Sequence, residues 1–385
     1  MRNDGVAPVP DRGGFTPPHP RGIFGEEKVV RDRLYLDWNA TTPLRPEARA
    51  AMAAAMDLVG NPSSVHAEGR VAKAMLERAR AQMAAAVGCA PDEVIFTSGA
   101  TEAAMVLSRL PAGHDVLVDP TAHDCLWAHF RTGGGAAAGH TLAWGLANNE
   151  TGVIAEPPRG AEGGWLYGTR KADWLLLDIV QAVGKVPFSF AWSGADMAVV
   201  SAHKFGGPKG VGALILRGGF DISALSLGGG QEMGRRAGTE NLIGIAGMGA
   251  AAEAASRDLA AGVWDEVAEI RNILESELSA STNKTISVGN GLPRLPNTLC
   301  LIAPGWKGET QVMAMDLAGF AVSAGSACSS GKVRPSRILR SMGFDEAQAA
   351  QAIRVSIGPG VTKDDVQRFA KTWTAAYAKA LARAA

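Results

Sequence analysis

The sequence predicts an α/β protein: a large unit on a mainly parallel sheet covered by helices, with a smaller α+β unit beside it. Three observations carry that expectation. Compact apolar runs recur with helical stretches between them, and their lack of alternation marks strands buried on both faces. The chain has 385 residues, more than one core usually fills. It is 46% hydrophobic and 20% charged, which fits neither a disordered nor a fibrous class.

The elements follow in order. Residues 1–33 are rich in Pro, Gly and mixed charge, and read as a poorly ordered arm. They hold no apolar segment of a secretory signal, and Asp4 and Asp11 without a helical period argue against a transit peptide. "LYLDW" (34–38) is a short strand. Pro46 to Val59 is helical, Pro46 suiting the first turn and Gly60 the stop. An Ala-rich helix at 67–87 ends at Gly88. "EVIFT" (93–97) is a strand, followed by a Gly turn and a helix from Thr101. "DVLVD" (115–119), "DWLLLDIV" (173–180), "MAVVS" (197–201) and "VGALIL" (211–216) are further buried strands. Two long helical stretches fill 241–280. Then come "TLCLI" (298–302), a helix near 309–318, "AVSAG" (321–325), "AIRVSI" (352–357) and an amphipathic helix from Lys363 to the end. We divide the chain into a large unit at 46–260 and a smaller one from 34–45 with 261–385.

Bulk properties exclude several classes. Lys plus Arg equals Asp plus Glu at 38 each, so nothing points to nucleic acid or an anionic membrane. No apolar run is long enough to span a bilayer. Cys89, Cys125, Cys300 and Cys328 are scattered without C-x-x-C spacing, which speaks against a metal site or a disulfide framework and for a reducing cytoplasm.

In such a fold ligands bind at the C-terminal strand ends. "FTSGATEA" puts Ala100 and Thr101 at a helix start: either a phosphate cradle or an ordinary N-cap. Asp178 closes a strand with Gln181 three residues on. Its carboxylate either keeps a pyridine nitrogen protonated or caps a turn. His123 follows another strand, placed to stack on an aromatic cofactor or to shuttle a proton. "ANNETG" offers Asn149 as an amide donor or as part of a turn. "SAHKFGGPKG" sets Lys204 after a strand, as a solvated charge or as an amine that bonds a carbonyl cofactor. Cys328 lies in a loop of Gly, Ser and Ala, as an accessible thiol needs. Arg354 sits inside an apolar strand and calls for a carboxylate, either a substrate's or an internal Asp or Glu.

Together these pieces resemble the cysteine desulfurases, class V members of the fold-type I pyridoxal-phosphate enzymes. "LYLDWNATTP", "NPSSVHAEGR", "FTSGATEA", "NNETGV", "DIVQAVGKVP", "SAHKFGGPKGVGAL", "GGGQEMGRRAGTEN", "SAGSACSSG" and "IRVSIG" occur in the family's order from Leu34 to the C-terminus. The resemblance implies that Lys204 holds pyridoxal phosphate covalently and later moves the substrate's α-proton. Asp178 would pair with the ring nitrogen, and Gln181 and Asn149 with the ring oxygen. Val180 would pack one ring face and His123 the other. Ala100, Thr101, Ser201 and His203 would form the phosphate cup, completed by Thr239 of a second subunit in a homodimer. Asn39 and Arg354 would hold the carboxylate of L-cysteine. Cys328 would take the sulfur as a persulfide and hand it to an acceptor, such as an iron–sulfur scaffold protein, leaving L-alanine.

Relatives in the same group include selenocysteine lyases and aminotransferases; Cys328 points to sulfur chemistry. A desulfurase reduced to a scaffold is a third reading, opposed by intact Lys204, Asp178, His123 and Cys328. Four departures from the family pattern stand out. "RTGGGAAAGHTLAW" (131–144) is too short for a full helix–strand unit, and 155–172 is Pro/Gly-rich where a helix is usual. Ile179 replaces a small residue, and "KVRPS" after the cysteine loop is unusually basic.

Overall fold

The computed structural model describes residues 33–133, 138–161, 163–282, 284–325 and 335–384. The arm at 1–32 and the segment that carries Cys328, Lys332 and Arg334 lie outside the described residues.

A six-stranded sheet forms the larger core. Its strands are β2 (Val94–Thr97), β3 (His114–Val118), β4 (Gly139–Gly145), β7 (Trp174–Asp178), β8 (Met197–Ser201) and β9 (Gly212–Leu216), in the order β2-β9-β8-β7-β4-β3. The pairs β3–β4, β4–β7 and β7–β8 are parallel, and β9 is antiparallel to both its neighbours. Five strands therefore share one direction and β9 alone is reversed. The reason is its connection: residues 202–211 are too few for the crossover that a parallel return requires.

Consecutive residues along these strands enter opposite layers. Leu175, Leu177, Ala198 and Val200 pack with one cluster, and Leu176, Met197 and Val199 with the other. Both faces are covered, as the unalternated apolar runs require. The first layer is closed by α1 (Pro46–Met56), α2 (Ala67–Val87) and α6 (Leu242–Ala260). α2 and α6 approach closely because Gly249 has no side chain: a Cβ there would lie 2.7 Å from the Ala79 Cα. Short helices α3 (Ala100–Ala104) and α4 (Asp124–Trp127) contribute to the second layer.

The 131–144 stretch behaves partly against expectation. It supplies β4, a central strand, although among the described residues no helix beyond the single-turn α4 joins it to β3. The Pro/Gly-rich stretch 155–172 forms a small hairpin, β5 (Trp165–Tyr167) with β6 (Arg170–Ala172), rather than a helix. The last short helix on this side is α5 (Phe190–Ser193).

A second strand system has the order β10-β11-β14-β13, built from β10 (Ile286–Ser287), β11 (Thr298–Ile302), β13 (Ser323–Ala324) and β14 (Ala352–Ser356). β1 (Leu34–Tyr35) pairs in parallel with β12 (Phe320–Ala321), tying the start of the described chain to this region. Helices α7 (Val263–Ser281), α8 (Gly308–Leu317) and α11 (Lys363–Ala384) cover a core that includes Leu299, Val355, Phe369 and Trp373. Two short helices, α9 (Arg337–Ser341) and α10 (Glu346–Ala350), complete it. Among the described residues no helix is long and apolar enough to cross a membrane.

Candidate active site

The C-terminal ends of β2, β7 and β8, with the loops after β3 and β4, open into one crevice of about 1160 Å³. The second strand system closes its far side with Ser323 and Arg354, and Asn39 joins it from the chain after β1.

Lys204 stands just past β8, where a single tight turn carries its side chain into the crevice. Its Nζ donates to the carbonyls of Asn39 (2.6 Å) and Ala40 (2.9 Å). Asp178 ends β7 and is buried, its Oδ1 accepting from the Val180 amide at 2.9 Å. Burial pushes its carboxyl up, against the pull of His123 and Lys204. A buried anion of this kind gains from a cation placed against it. Val180 lines the same wall.

His123 is the N-cap of α4, and its Nδ1 accepts from the Cys125 amide at 3.1 Å. In the neutral ring the proton therefore sits on Nε2. His203 is neutral at physiological pH: burial, then the charges of Lys204, Lys209 and Lys185, pull it down to about 4. Ser201, His203, Ala100 and Thr101 line the crevice together with Ser98 and Gly99. Those residues, the Asp178 carboxylate and the Lys204 amine fit a phosphorylated pyridine aldehyde.

Gln181 is held at both ends of its amide. Its Nε2 donates to the Asn39 carbonyl (3.0 Å), and its Oε1 accepts from the buried Lys185 amine (2.8 Å). Asn39 O thus receives both Gln181 and Lys204. Of the two neighbouring amides, Asn148 is occupied in shaping its own turn, accepting from the Glu150 and Thr151 amides at 2.9 Å. Asn149 lines the crevice, and its carbonyl accepts from Asn39 and Arg354.

The arginine question resolves on the internal side in this structure. Arg354 Nη2 lies 2.6 Å from Asp37 Oδ1, while Ser323 donates to Asp37 Oδ2 at 2.8 Å. Arg354 Nε is buried without a hydrogen-bond partner. The Asn39 side chain is fully engaged, donating to Asn149 O and Thr298 Oγ1 and accepting from Asn297. It braces the crevice wall rather than offering a spare donor.

Thr239, expected to act from a second subunit, is exposed and does not line the crevice of its own chain. Cys328 lies outside the described residues. The other three thiols are poor nucleophiles: burial pushes Cys89 up to about 12, and Cys125 and Cys300 further. Among the described residues no group of His, Cys, Asp and Glu could hold a metal ion.

The sequence reading missed Asp37, Lys185 and Glu232. Asp37 had a signal: an acid in one short apolar strand answers an arginine in another. Glu232 had none. It forms a bidentate pair with Arg80 (2.8 and 3.0 Å) and accepts from the Phe96 amide at 2.9 Å. This pins the loop that carries Thr239 to α2 and β2.

The aminotransferase class-V family profile matches residues 34–129 and 140–369. A cysteine desulfurase of Cereibacter sphaeroides is 37% identical over 373 residues, spanning 88% of this chain and 94% of that one. A cysteine desulfurase IscS of Dictyoglomus turgidum is 33% identical over 369 residues, spanning 88% and 92%. Among solved structures, a NifS-like protein from Rickettsia africae superposes with a TM-score of 0.78 at 27% identity, covering 90% of this chain and 99% of that one.

Proposed function

This chain belongs to the aminotransferase class-V family and, within it, to the cysteine desulfurases, and we propose that it converts L-cysteine to L-alanine and passes the sulfur through Cys328 to an acceptor protein. The observation that carries the reading is the convergence of Lys204, Asp178, His123 and the 98–101 turn on one crevice.

Bound there, pyridoxal phosphate supplies a carbonyl for covalent attachment and an electron-withdrawing ring. The chain's own residues do the rest. Lys204 would hold the cofactor through its amine and afterwards take the substrate's α-proton. Asp178 would keep the ring nitrogen protonated by its negative charge. His123 and Val180 would pack against the ring, with the Nε2–H of His123 able to donate a proton. Gln181 and Asn149 would bond the ring oxygen. Ala100, Thr101, Ser201 and neutral His203 would take the phosphate, with Thr239 of a second copy completing the cup in a homodimer. Arg354 exchanges Asp37 for the substrate carboxylate, and Asn39 holds that wall in place. Cys328, as thiolate, attacks the substrate sulfur. The carbon–sulfur bond breaks, a persulfide remains on Cys328, and a proton delivered to the carbon side completes alanine.

The same proposal places the protein in the cytoplasm and gives the sulfur to a protein acceptor such as an iron–sulfur scaffold. It also divides the chain at 46–260 and 34–45 with 261–385. Two strand systems with separate core clusters support that division.

The test is direct. Purified protein with L-cysteine yields alanine, and mass spectrometry finds one extra sulfur on Cys328. Cys328→Ala keeps the visible cofactor absorption but carries no persulfide and releases no sulfide. Desulfuration of cysteine by that variant at the wild-type rate overturns the mechanism. Failure on cysteine with continued cleavage of selenocysteine favours a selenocysteine lyase.

A further inference from the structure

Gln181 and Lys185 stand four residues apart on the turn that follows β7. Backbone bonds wind this stretch: the Ala182 and Val183 amides donate to the Ile179 carbonyl (2.9 and 3.1 Å), and the Lys185 amide to the Ala182 carbonyl (3.0 Å). Gly184 takes left-handed backbone at φ 70° and lies so close to α6 that a Cβ there would stand 2.6 Å from the Ala255 Cβ. The turn brings the Lys185 side chain back to Gln181, and both residues are buried, at 2% and 4% exposed.

A buried lysine ordinarily faces an acid. Here the amine donates to Gln181 Oε1 at 2.8 Å, a neutral oxygen, and the charges that act on it are those of two cations, Lys204 and Arg354. A neutral acceptor offsets little of the solvation that such burial forfeits. The contact therefore asks for a reason other than stability.

The reason lies in what the lysine does to the amide. An amide side chain can turn over and exchange its oxygen and nitrogen at little steric cost. On one side Gln181 meets the Asn39 carbonyl, which only accepts. On the other it meets the Lys185 amine, which donates whether charged or neutral. One orientation satisfies both, with Oε1 toward Lys185 and Nε2 toward Asn39. Nε2 carries two hydrogens. Asn39 takes one at 3.0 Å, which leaves the other for a ligand of the crevice that Gln181 lines. Without the lysine, Oε1 would be buried with no donor and the amide held at one end only.

We propose that Lys185 is a positioning residue that fixes the Gln181 amide so that its Nε2–H, and not its Oε1, is presented to the cofactor's ring oxygen. The inference rests on the reading of the crevice as a pyridoxal-phosphate site in which Gln181 bonds that oxygen. A donor there favours the form of the cofactor whose oxygen carries negative charge, and so lowers the pH at which the bound cofactor gives up its proton. Lys185 acts through Gln181 and does not itself touch the cofactor.

The experiment is a pH titration of the visible absorption of the full chain carrying its cofactor, without substrate. In Lys185→Met the midpoint moves up by about one unit, the size of one hydrogen bond to a charged group. Loss of a positive charge alone would move it the same way, so the decisive comparison is a double-mutant cycle with Gln181→Leu. The expected result is a shift from Lys185→Met in the wild-type background and no further shift in Gln181→Leu. An equal shift in both backgrounds overturns the proposal, as does an unmoved midpoint in Lys185→Met. Should Lys185→Met fail to fold, Lys185→Leu serves in its place. The two readings fail separately. A chain in which borohydride fixes no cofactor on Lys204 removes the cofactor site itself, whereas a normal cofactor band with additive shifts removes only the role of Lys185.

Discussion

The crevice at the strand ends and a second, rear cavity, lined by Lys185, Trp264, Arg271 and Arg294 among others, each hold a lysine, and the two are built on opposite principles. Lys204 rests on two backbone carbonyls at the edge of a wide opening. Around it, polar groups are engaged: Asp37 with Arg354 and Ser323, Gln181 with Asn39 and Lys185. Lys185 is 2% exposed, donates to a neutral amide oxygen, and is pushed down to about 7 by burial and by the charges of Lys204 and Arg354. Beside it stand arginine donors with no acceptor. The front site is largely paired, Arg354 Nε apart; the rear one leaves four buried donors without acceptors. Proximity of a lysine to the ligand region therefore says little. What it donates to decides its work.

The hardest way to break this contrast is to ask which lysine carries the cofactor. Lys204→Ala lowers alanine formation from L-cysteine by roughly 10²–10⁴-fold or more, the range for losing a positioned proton-transfer group. Borohydride reduction followed by peptide mass spectrometry finds the cofactor on Lys204. A label on Lys185 would invert the two regions.

Next in size is Asp178→Ala. It removes the buried carboxylate that we propose keeps the ring nitrogen protonated, and each pKa unit of such coupling is about 1.4 kcal/mol. Turnover falls to a small fraction of wild type, and dialysis strips the cofactor faster, followed by its absorbance. Activity like wild type would leave Asp178 as a turn-capping residue only.

Arg354→Leu comes third. It strands the Asp37 carboxylate, which is 18% exposed in its side chain, so the cost lies below the roughly 3–5 kcal/mol of a fully buried broken pair. The expected result is a lower Tm together with a raised KM for L-cysteine. A lower Tm with unchanged KM would confine Arg354 to the internal pair.

The smallest effect is a slope. In the folded chain Lys185 loses its proton near 7, against an ordinary value of 10.5. Between those values the unfolded chain binds a proton that the folded one does not. This group's contribution to stability is present above 10.5 and is lost as pH falls toward 7, at no more than about 1.4 kcal/mol per pH unit. Lys185→Met removes that slope, read from urea midpoints across the range. An unchanged slope would place the titration elsewhere.

Much of the front site was legible because its residues sit at strand ends, where a break in an apolar run marks the position. Asp178 and Ser201 follow such a run directly, and Lys204 stands three residues past Ser201. The parallel sheet was readable for the same reason, though the reversal of β9 depends on loop length rather than on strand composition. β4 was obscured by its glycines and alanines, which lack the branched side chains that announce a strand. The rear cavity left no trace in the sequence. Its donors come from α7 and from the approach to β11, and their lack of acceptors exists only once the chain has folded. Glu232 was hidden in the same way, since its partner Arg80 looks like any charge on a helix.

That last pair has a consequence for assembly. Glu232 and Met233 both adopt left-handed backbone, at φ 49° and 57°, which non-glycine residues rarely hold unaided. The Arg80 guanidinium and the Phe96 amide hold Glu232 there from within the same chain. The backbone next to Glu232 and Met233 is thus settled during folding. Ordering a floppy segment at an interface costs entropy and slows encounter. Any surface that meets this segment finds the backbone at Glu232 and Met233 already shaped.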